Sequence, residues 1–352
     1  MNTKRVLITP LDWGLGHATR CIPIIRIFLA RGFEVIIAGS GHSLGLLQQE
    51  FPQVKTFTLP AYNPSYASGS MVWQMARQLL KFIRAIRNEH KNLQQLIVDE
   101  KIDMVISDNR YGCWSSKVPS FFITHQTNII MPAGWKWMSS IVNYFNTRQI
   151  NKFKACLIPD TEEHLLSGIL SCNSAIRANY TGPLSRFSET IESSIKYDVL
   201  ILLSGPEPQR SLLEEIILQQ LHDANKKVLV VRGVVGNNTI KVTESFEVVD
   251  FLGSRELQQA IQESALVISR SGYSTIMDLF RLGKRAIFIP TPGQTEQEYL
   301  AQRMKDQSIA YFMPQNNFNL HYALTEAEKY LGFVRDEDSY SDALLLEIVK
   351  DL

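Results

Sequence analysis

Cysteine is scarce: Cys21, Cys113, Cys156 and Cys172 are the only four in 352 residues, with no CxxC pair and no regular spacing. That excludes a disulfide framework. Long apolar runs are missing too. None approaches the roughly 18 residues of a membrane-spanning helix, and the longest candidates break at charges such as Arg26 and Lys81. The opening MNTKRVLITPLDWG lacks the apolar core of a signal peptide. The expected setting is therefore a reducing cytoplasm, without a transmembrane segment. Net charge is only +1 and no nucleic-acid motif occurs, so nucleic acid is not an expected partner. His42, His90, His164, His222 and His321 show no ligand spacing.

What is present fits a soluble globular chain: 45% hydrophobic, 20% charged, with 19 Gly and 14 Pro. Its length suits two domains of about 150 to 200 residues. Charge divides unevenly. Residues 1–182 hold 19 Lys and Arg against 11 Asp and Glu, and the rest hold 17 against 24. The first half is thus +8 and the second −7. A basic first half suits an anionic partner, either an acidic acceptor or a membrane surface, although opposite charges also steer two domains together.

Short Val- and Ile-rich runs at Arg5–Thr9, Glu34–Ala38, Lys55–Leu59, Asp103–Ser107, Ser120–Thr124 and Ala155–Pro159 alternate with helical stretches. They read as buried parallel strands. Between the first two, His17–Arg31 carries Ile22, Ile25, Phe28 and Leu29 at helical spacing, with Gly32 as its stop. The grammar restarts at Asp198–Leu203 and continues through Val228–Arg232, Phe246–Val249, Leu266–Ser269 and Ala286–Pro290. The expected fold class is α/β: two Rossmann-like, doubly wound domains facing across a cleft. The expected bounds are 1–182 and 193–338, joined by a linker at 183–192 and followed by a C-terminal helix at 339–352 that docks its apolar side, on the N-terminal domain in one reading. Met71–Glu100 is the longest helical pattern, with room for a break at Asn88–Asn92. Its face of Met75, Leu79, Phe82, Ile86, Leu93 and Ile97 lies opposite Arg77, Lys81, Arg84 and Lys91. That basic stripe reads as a solvated face or as a contact for anionic lipid.

Two glycine-bearing turns carry the chemistry. The first strand runs into LDWGLGHATR, where Gly14 and Gly16 allow close backbone approach and His17 stands at or just before a helix N-terminus. The helix dipole there favours an uncharged imidazole, as a general base needs. GLGHAT does not complete the dinucleotide pattern GxGxxG. In the second half, Ser271, Gly272, Tyr273, Ser274 and Thr275 open a helix whose amides and hydroxyls suit a diphosphate, with Asp278 one turn further in for a ribose. Gly205, in SGPEPQR, opens another helix after a strand. No DxD-like acidic pair lies near the Gly272 helix, so no metal ion and no cofactor are expected.

These residues resemble the MurG-like two-domain glycosyltransferases of the GT-B type over nearly the whole chain. SRSG, Asp278 and the cluster Pro292, Gln297 and Glu298 carry the likeness most specifically, with TGPLSR as the interdomain stretch and THQTN as a histidine-containing loop. The resemblance implies a UDP-sugar in the C-terminal domain: base near Phe251 and Leu252, ribose at Asp278, phosphates at Ser271 and Gly272, sugar at Gln297 and Glu298. It implies His17 as base, with Asp108 as the candidate that orients it, and a cell-envelope acceptor that is lipid-linked or a glycan. Asp12–Trp13–Gly14 stands where that family has Gly-Gly-Thr, and SGPEPQR lacks its double glycine.

Several readings stay open. Asp108 orients His17 or pairs with Arg110 two residues on. His125 lines the acceptor side or bonds within its own loop. Asp278 meets a ribose or is a solvated helix charge. Trp135, Lys136, Trp137 and Met138 enter a membrane interface or pack over the cleft. GLGHATR also resembles the GxGHxxR opening of the UDP-sugar hydrolase of pseudaminic acid synthesis, so hydrolysis competes with transfer, as does non-catalytic nucleotide-sugar binding. The non-hydrolysing epimerases share the fold, but their acid and base carboxylates are not recognisable here.

Overall fold

The computed structural model describes residues 3–62, 71–187, 193–221, 226–234, 240–242, 246–335 and 347. The expected linker falls partly outside them, at 188–192, as does the C-terminal helix save Glu347. The chain divides into two compact units, one running to Arg186 and the other starting at Phe187.

The N-terminal unit runs β1 (Arg5–Pro10), α1 (Leu15–Ala30), β2 (Glu34–Gly39), α2 (Gly41–Glu50), β3 (Lys55–Thr58), α3 (Met71–Asp99), β4 (Met104–Asp108), β5 (Ser120–Ile123), α4 (Ser139–Ile150), β6 (Ala155–Ile158) and β7 (Ala178–Tyr180). Among the described residues these strands form one parallel sheet in the order β3-β2-β1-β4-β5-β6-β7. Val6, Leu7 and Ile8 on β1 and Met104, Val105 and Ile106 on β4 are fully buried, as strands covered by helices on both faces must be. The order reverses between β1 and β4. At such a switch point the connections leave in opposite directions and open a crevice at the carboxyl ends of the strands. Pro10 and Asp108 are register partners at that end.

The C-terminal unit repeats the scheme with β8 (Tyr197–Leu202), α5 (Gln209–Leu221), β9 (Val228–Val231), β10 (Ile240–Val242), β11 (Phe246–Val249), α6 (Ser254–Gln262), β12 (Ser264–Ser269), α7 (Tyr273–Leu282), β13 (Ala286–Phe288), α8 (Thr295–Asp306), β14 (Tyr311–Phe312) and α9 (Leu320–Ala327). Its order is β10-β11-β9-β8-β12-β13-β14, with β10 antiparallel. The switch point here lies between β8 and β12, and Leu202 and Ser269 are partners at its carboxyl end. Both glycine-bearing turns of this unit emerge there.

Both sheets match the expected doubly wound α/β class. The sequence reading omits β7, β10 and β14, edge strands of two or three residues, too short to show a period. Helix α3 continues unbroken through Asn88–Asn92. Glu89 explains why: its carboxylate turns inward to Arg110, Nε to Oε1 at 2.5 Å, on the side carrying Phe82, Leu93 and Ile97. No helix among the described residues is long and apolar enough to cross a membrane.

Candidate functional site

The turn after β1 is built from both sides. Leu11 N donates to Asp108 O (3.0 Å), and Ser43 donates through its hydroxyl to Leu11 O (3.0 Å) and through its amide to Asp12 Oδ1 (3.2 Å). Gly14 then takes φ +107, open to glycine but strained for any other residue, and caps α1. Trp13, 37% exposed, leans edge-on against Tyr62 and Phe82 at 6.3 and 5.8 Å.

His17 is the third residue of α1, inside the first turn rather than before it. Its Nδ1 lies 2.7 Å from Asp108 Oδ1, and Asp108 is the last residue of β4 rather than the one beyond it. Arg20, three residues on and so on the same helix face, forks onto the same carboxylate: Nε to Oδ2 at 2.7 Å and Nη2 to Oδ1 at 2.5 Å. Burial alone would push the Asp108 carboxyl up, but Arg20 and His17 outweigh it and hold the group well below the usual carboxylate range. An ionised carboxylate can only accept. Nδ1 of His17 therefore carries a proton, and in the uncharged imidazole Nε2 keeps its lone pair, the arrangement a general base needs. Arg20 Nη2 sits 2.9 Å from that same Nδ1, a close approach of two donors that share one acceptor.

His125 is 5% exposed, and its Nδ1 is 3.3 Å from Arg20 Nη1. One guanidinium thus touches both histidines and Asp108. Arg20 is the functional residue that the sequence reading missed, although its spacing from His17 was visible. The alternative pairing of Asp108 with Arg110 is corrected. Arg110 is held instead by Glu89, and donates to Pro10 O (3.2 Å) and Pro60 O (2.5 Å), gathering the loops that follow β1 and β3. Cys21 lies against Asp108, and burial first, then that carboxylate, pushes its thiol well up, so it is unreactive.

In the C-terminal unit Gly205 adopts φ +110 in the turn after β8. A Cβ there would stand 3.6 Å from Thr291 Oγ1 and 3.9 Å from Arg270 Nε. Both of those atoms are buried and have no hydrogen-bond partner among the described residues. The rest of Arg270 is fixed: it donates to Ile289 O (3.0 Å), Gln209 O (2.9 Å) and Gln315 Oε1 (2.6 Å). Burial draws its pKa down to about 10, so it stays a cation at neutral pH. An orphaned buried N–H and hydroxyl converging on a glycine form a cradle that an anion would satisfy. Gly272, the N-cap of α7, opens the neighbouring helix at the same sheet end.

The other expected donor residues are placed as follows. Ser271 is fully buried and its hydroxyl donates to Gln297 O (2.7 Å), tying α7 to α8 rather than standing open. Gln297 Oε1 accepts from Thr291 N (2.8 Å), and Glu298 Oε1 accepts from Gly293 N (3.1 Å), so both shape the turn containing Pro292. Phe251 and Leu252 are half-buried between β11 and α6, Tyr273 and Asp278 are buried, and Ser274 is half-buried. At 4% exposure Asp278 is not a solvated helix charge. Gly16 is half-buried in the first turn of α1. Among the described residues no group of three or more His, Cys, Asp or Glu side chains could hold a metal ion. The four cysteines are free, Cys172 being exposed and the others buried.

Comparison with known proteins agrees with this geometry. Residues 205–330 match the glycosyltransferase family 28 C-terminal domain. An uncharacterized glycosyltransferase of Methanosarcina acetivorans is 23% identical over 331 residues, 86% of this chain and 81% of that protein. A UDP-N-acetylglucosamine–N-acetylmuramyl-(pentapeptide) pyrophosphoryl-undecaprenol N-acetylglucosamine transferase of Rickettsia rickettsii is 34% identical over 159 residues, 45% of this chain but only 37% of the relative. Among solved structures, the kitacinnamycin glycotransferase superposes with TM-score 0.68 at 13% identity, covering 100% of this chain and 99% of that one. MurG of Acinetobacter baumannii gives 0.56 at 13% identity, covering 99% and 94%. These two likenesses show the fold. With the family domain over residues 205–330 and the sequence relatives, the chain is similar to the MurG-like glycosyltransferases and has their GT-B fold.

Proposed function

We propose, from the premise of a MurG-like glycosyltransferase, that the chain moves a hexosyl or N-acetylhexosaminyl group from a UDP-sugar to a lipid-linked or glycan acceptor of the cell envelope. The observation that carries the reading is His17, held through Nδ1 by an ionised Asp108 with Nε2 left to accept, at the switch point of the N-terminal sheet. His17 Nε2 takes the acceptor hydroxyl proton while that oxygen bonds the anomeric carbon, and the bond from that carbon to the diphosphate oxygen breaks with its electron pair leaving on the diphosphate. Single displacement inverts the configuration. The cradle of Gly205, Arg270 and Thr291, with the α7 N-terminus, receives the diphosphate charge and makes a divalent metal unnecessary. Free buried thiols suit a reducing cytoplasm, and the chain works there at the inner face of the plasma membrane.

The test is nucleotide release from UDP-, GDP-, TDP- and CMP-sugars, with and without a membrane-lipid extract, in the parent and in His17→Ala. UDP release that requires the extract and collapses in the variant is the expected result, and it should persist in EDTA. Equally fast release without extract would mean water is the acceptor, the hydrolase outcome that GLGHATR also fits. Binding without turnover would leave a nucleotide-sugar sensor.

A further inference from the structure

Trp13 is the exposed member of an otherwise buried cluster. It stands one residue before the N-cap of α1, in the turn that leads to His17, and is 37% exposed, whereas Leu11, Tyr62 and Phe82 beside it are buried. Its footing is rigid. Tyr62 donates through its hydroxyl to Glu89 Oε2 (2.6 Å), which also accepts from Gly112 N (2.8 Å), and the Arg110 guanidinium lies 5.6 Å from the centre of the Tyr62 ring. Arg110, paired with Glu89, donates in turn to Pro10 O and Pro60 O, so the segments that carry Trp13 and Tyr62 are fixed to each other. A large ring held this firmly and left partly in water presents a platform to a ligand.

Charge selects the ligand. Ser40, the N-cap of α2, makes no side-chain cap, and its hydroxyl instead accepts from Arg110 Nη1 (3.4 Å). Asp12 caps α2 from the neighbouring turn: its Oδ1 accepts from Ser43 N (3.2 Å), and its carboxylate lies so close to Gly41, at φ +52, that a Cβ there would displace it. The positive end of α2 is thus already filled by an anion of the chain itself. A phosphate entering this turn would meet a carboxylate where it needs amides. Neutral ligands meet no such repulsion. Ser43 N takes one lone pair of a carboxylate that offers about four, so Asp12 can also accept from a hydroxyl. An indole for an apolar C–H face and a carboxylate for a hydroxyl, adjacent in one turn, fit a saccharide, which carries both on one ring.

We propose that Trp13 and Asp12 select the acceptor: a neutral sugar ring packs on the indole in the turn that leads to His17, and a phosphate carried next to the reacting sugar is turned away. The proposal rests on the transferase reading above and narrows its acceptor to a phosphate-free glycan end. It is measured as binding, without any sugar transfer.

Saturation-transfer NMR of the full chain, with UDP present throughout, tests it on the methyl glycosides of glucose, galactose, mannose and N-acetylglucosamine and on the matching sugar 1-phosphates. At least one glycoside should bind the parent. Trp13→Leu, which keeps an apolar contact with Tyr62 and Phe82 but loses the flat face, should weaken that binding about tenfold, as should Trp13→Ala, while Trp13→Tyr should hold it within about threefold. The matching 1-phosphate should bind the parent about tenfold less tightly than its glycoside. Asp12→Asn, which keeps an oxygen for Ser43 N, should close that gap. No glycoside bound, equal binding by the parent and Trp13→Leu, or tighter binding of 2-naphthol than of every glycoside would overturn the sugar platform. A 1-phosphate that binds the parent as tightly as its glycoside, or a gap that survives in Asp12→Asn, would overturn the exclusion. Trp13-dependent glycoside binding in a protein that turns over no donor would sink the transferase reading and leave this site standing. Transfer to an acceptor that proceeds unchanged in Trp13→Leu would sink the site alone.

Discussion

Asp108 Oδ1 lies 2.7 Å from His17 Nδ1 although 91 positions separate them in the chain. The contact exists because β1 and β4 are neighbours at the switch point, so the turn after one meets the last residue of the other. Asp108→Asn would let an amide donate to Nδ1 and move the imidazole proton to Nε2. Turnover should fall about 10²- to 10⁴-fold with donor affinity kept. Steady-state kinetics of both His17→Ala and Asp108→Asn check this, and a change in KM alone would contradict it.

Arg20→Ala removes the main cation from a buried carboxylate. A loss of about 3–5 kcal/mol is expected, seen as a lower midpoint in denaturant unfolding. Arg20→Lys should recover part of that stability, since a point charge remains, but less activity, since an ammonium cannot fork onto both carboxylate oxygens.

Acid sensitivity has a definite sign. Asp108 is held below its unfolded pKa of about 3.9. The stability it contributes is fully present above that value and is lost as pH falls beneath it toward the folded pKa. The stability gap between the parent and Asp108→Asn should therefore be widest near neutrality and shrink as unfolding is repeated below about pH 4. A gap that widens toward acid would refute the ionised carboxylate.

Thr291→Val separates binding from folding. The hydroxyl has no hydrogen-bond partner among the described residues, so the isosteric change should leave thermal stability unchanged or slightly raised. UDP affinity should weaken about tenfold for the loss of one hydrogen bond to a charged group, read by calorimetry. Gly205→Ala should weaken UDP binding as well, because its φ of +110 disfavours any side chain and the new methyl would enter the cradle.

Sequence showed most of this scaffold because parallel strands buried on both faces are near-continuous apolar runs. β1, β4 and β8 stand within a residue of the runs that announce them. The glycine turns were legible since positive φ at Gly14 and Gly205 leaves a residue-type signature. Partner choice was not. Asp108 had a cation two positions away in Arg110, and only the fold shows that Arg110 turns to Glu89 while Asp108 takes Arg20. Ser271, expected at a phosphate, proved to be internal because α8 folds back to place the Gln297 carbonyl beside it.

The guanidinium of Arg20 reaches Asp108 and both histidines at once. These four positions therefore work as a diagnostic unit for related chains. Histidine and arginine three apart after a glycine turn, aspartate ending the fourth strand and histidine just after the fifth together report an assembled base. A chain that keeps the histidine but loses the arginine needs a different way to hold its aspartate.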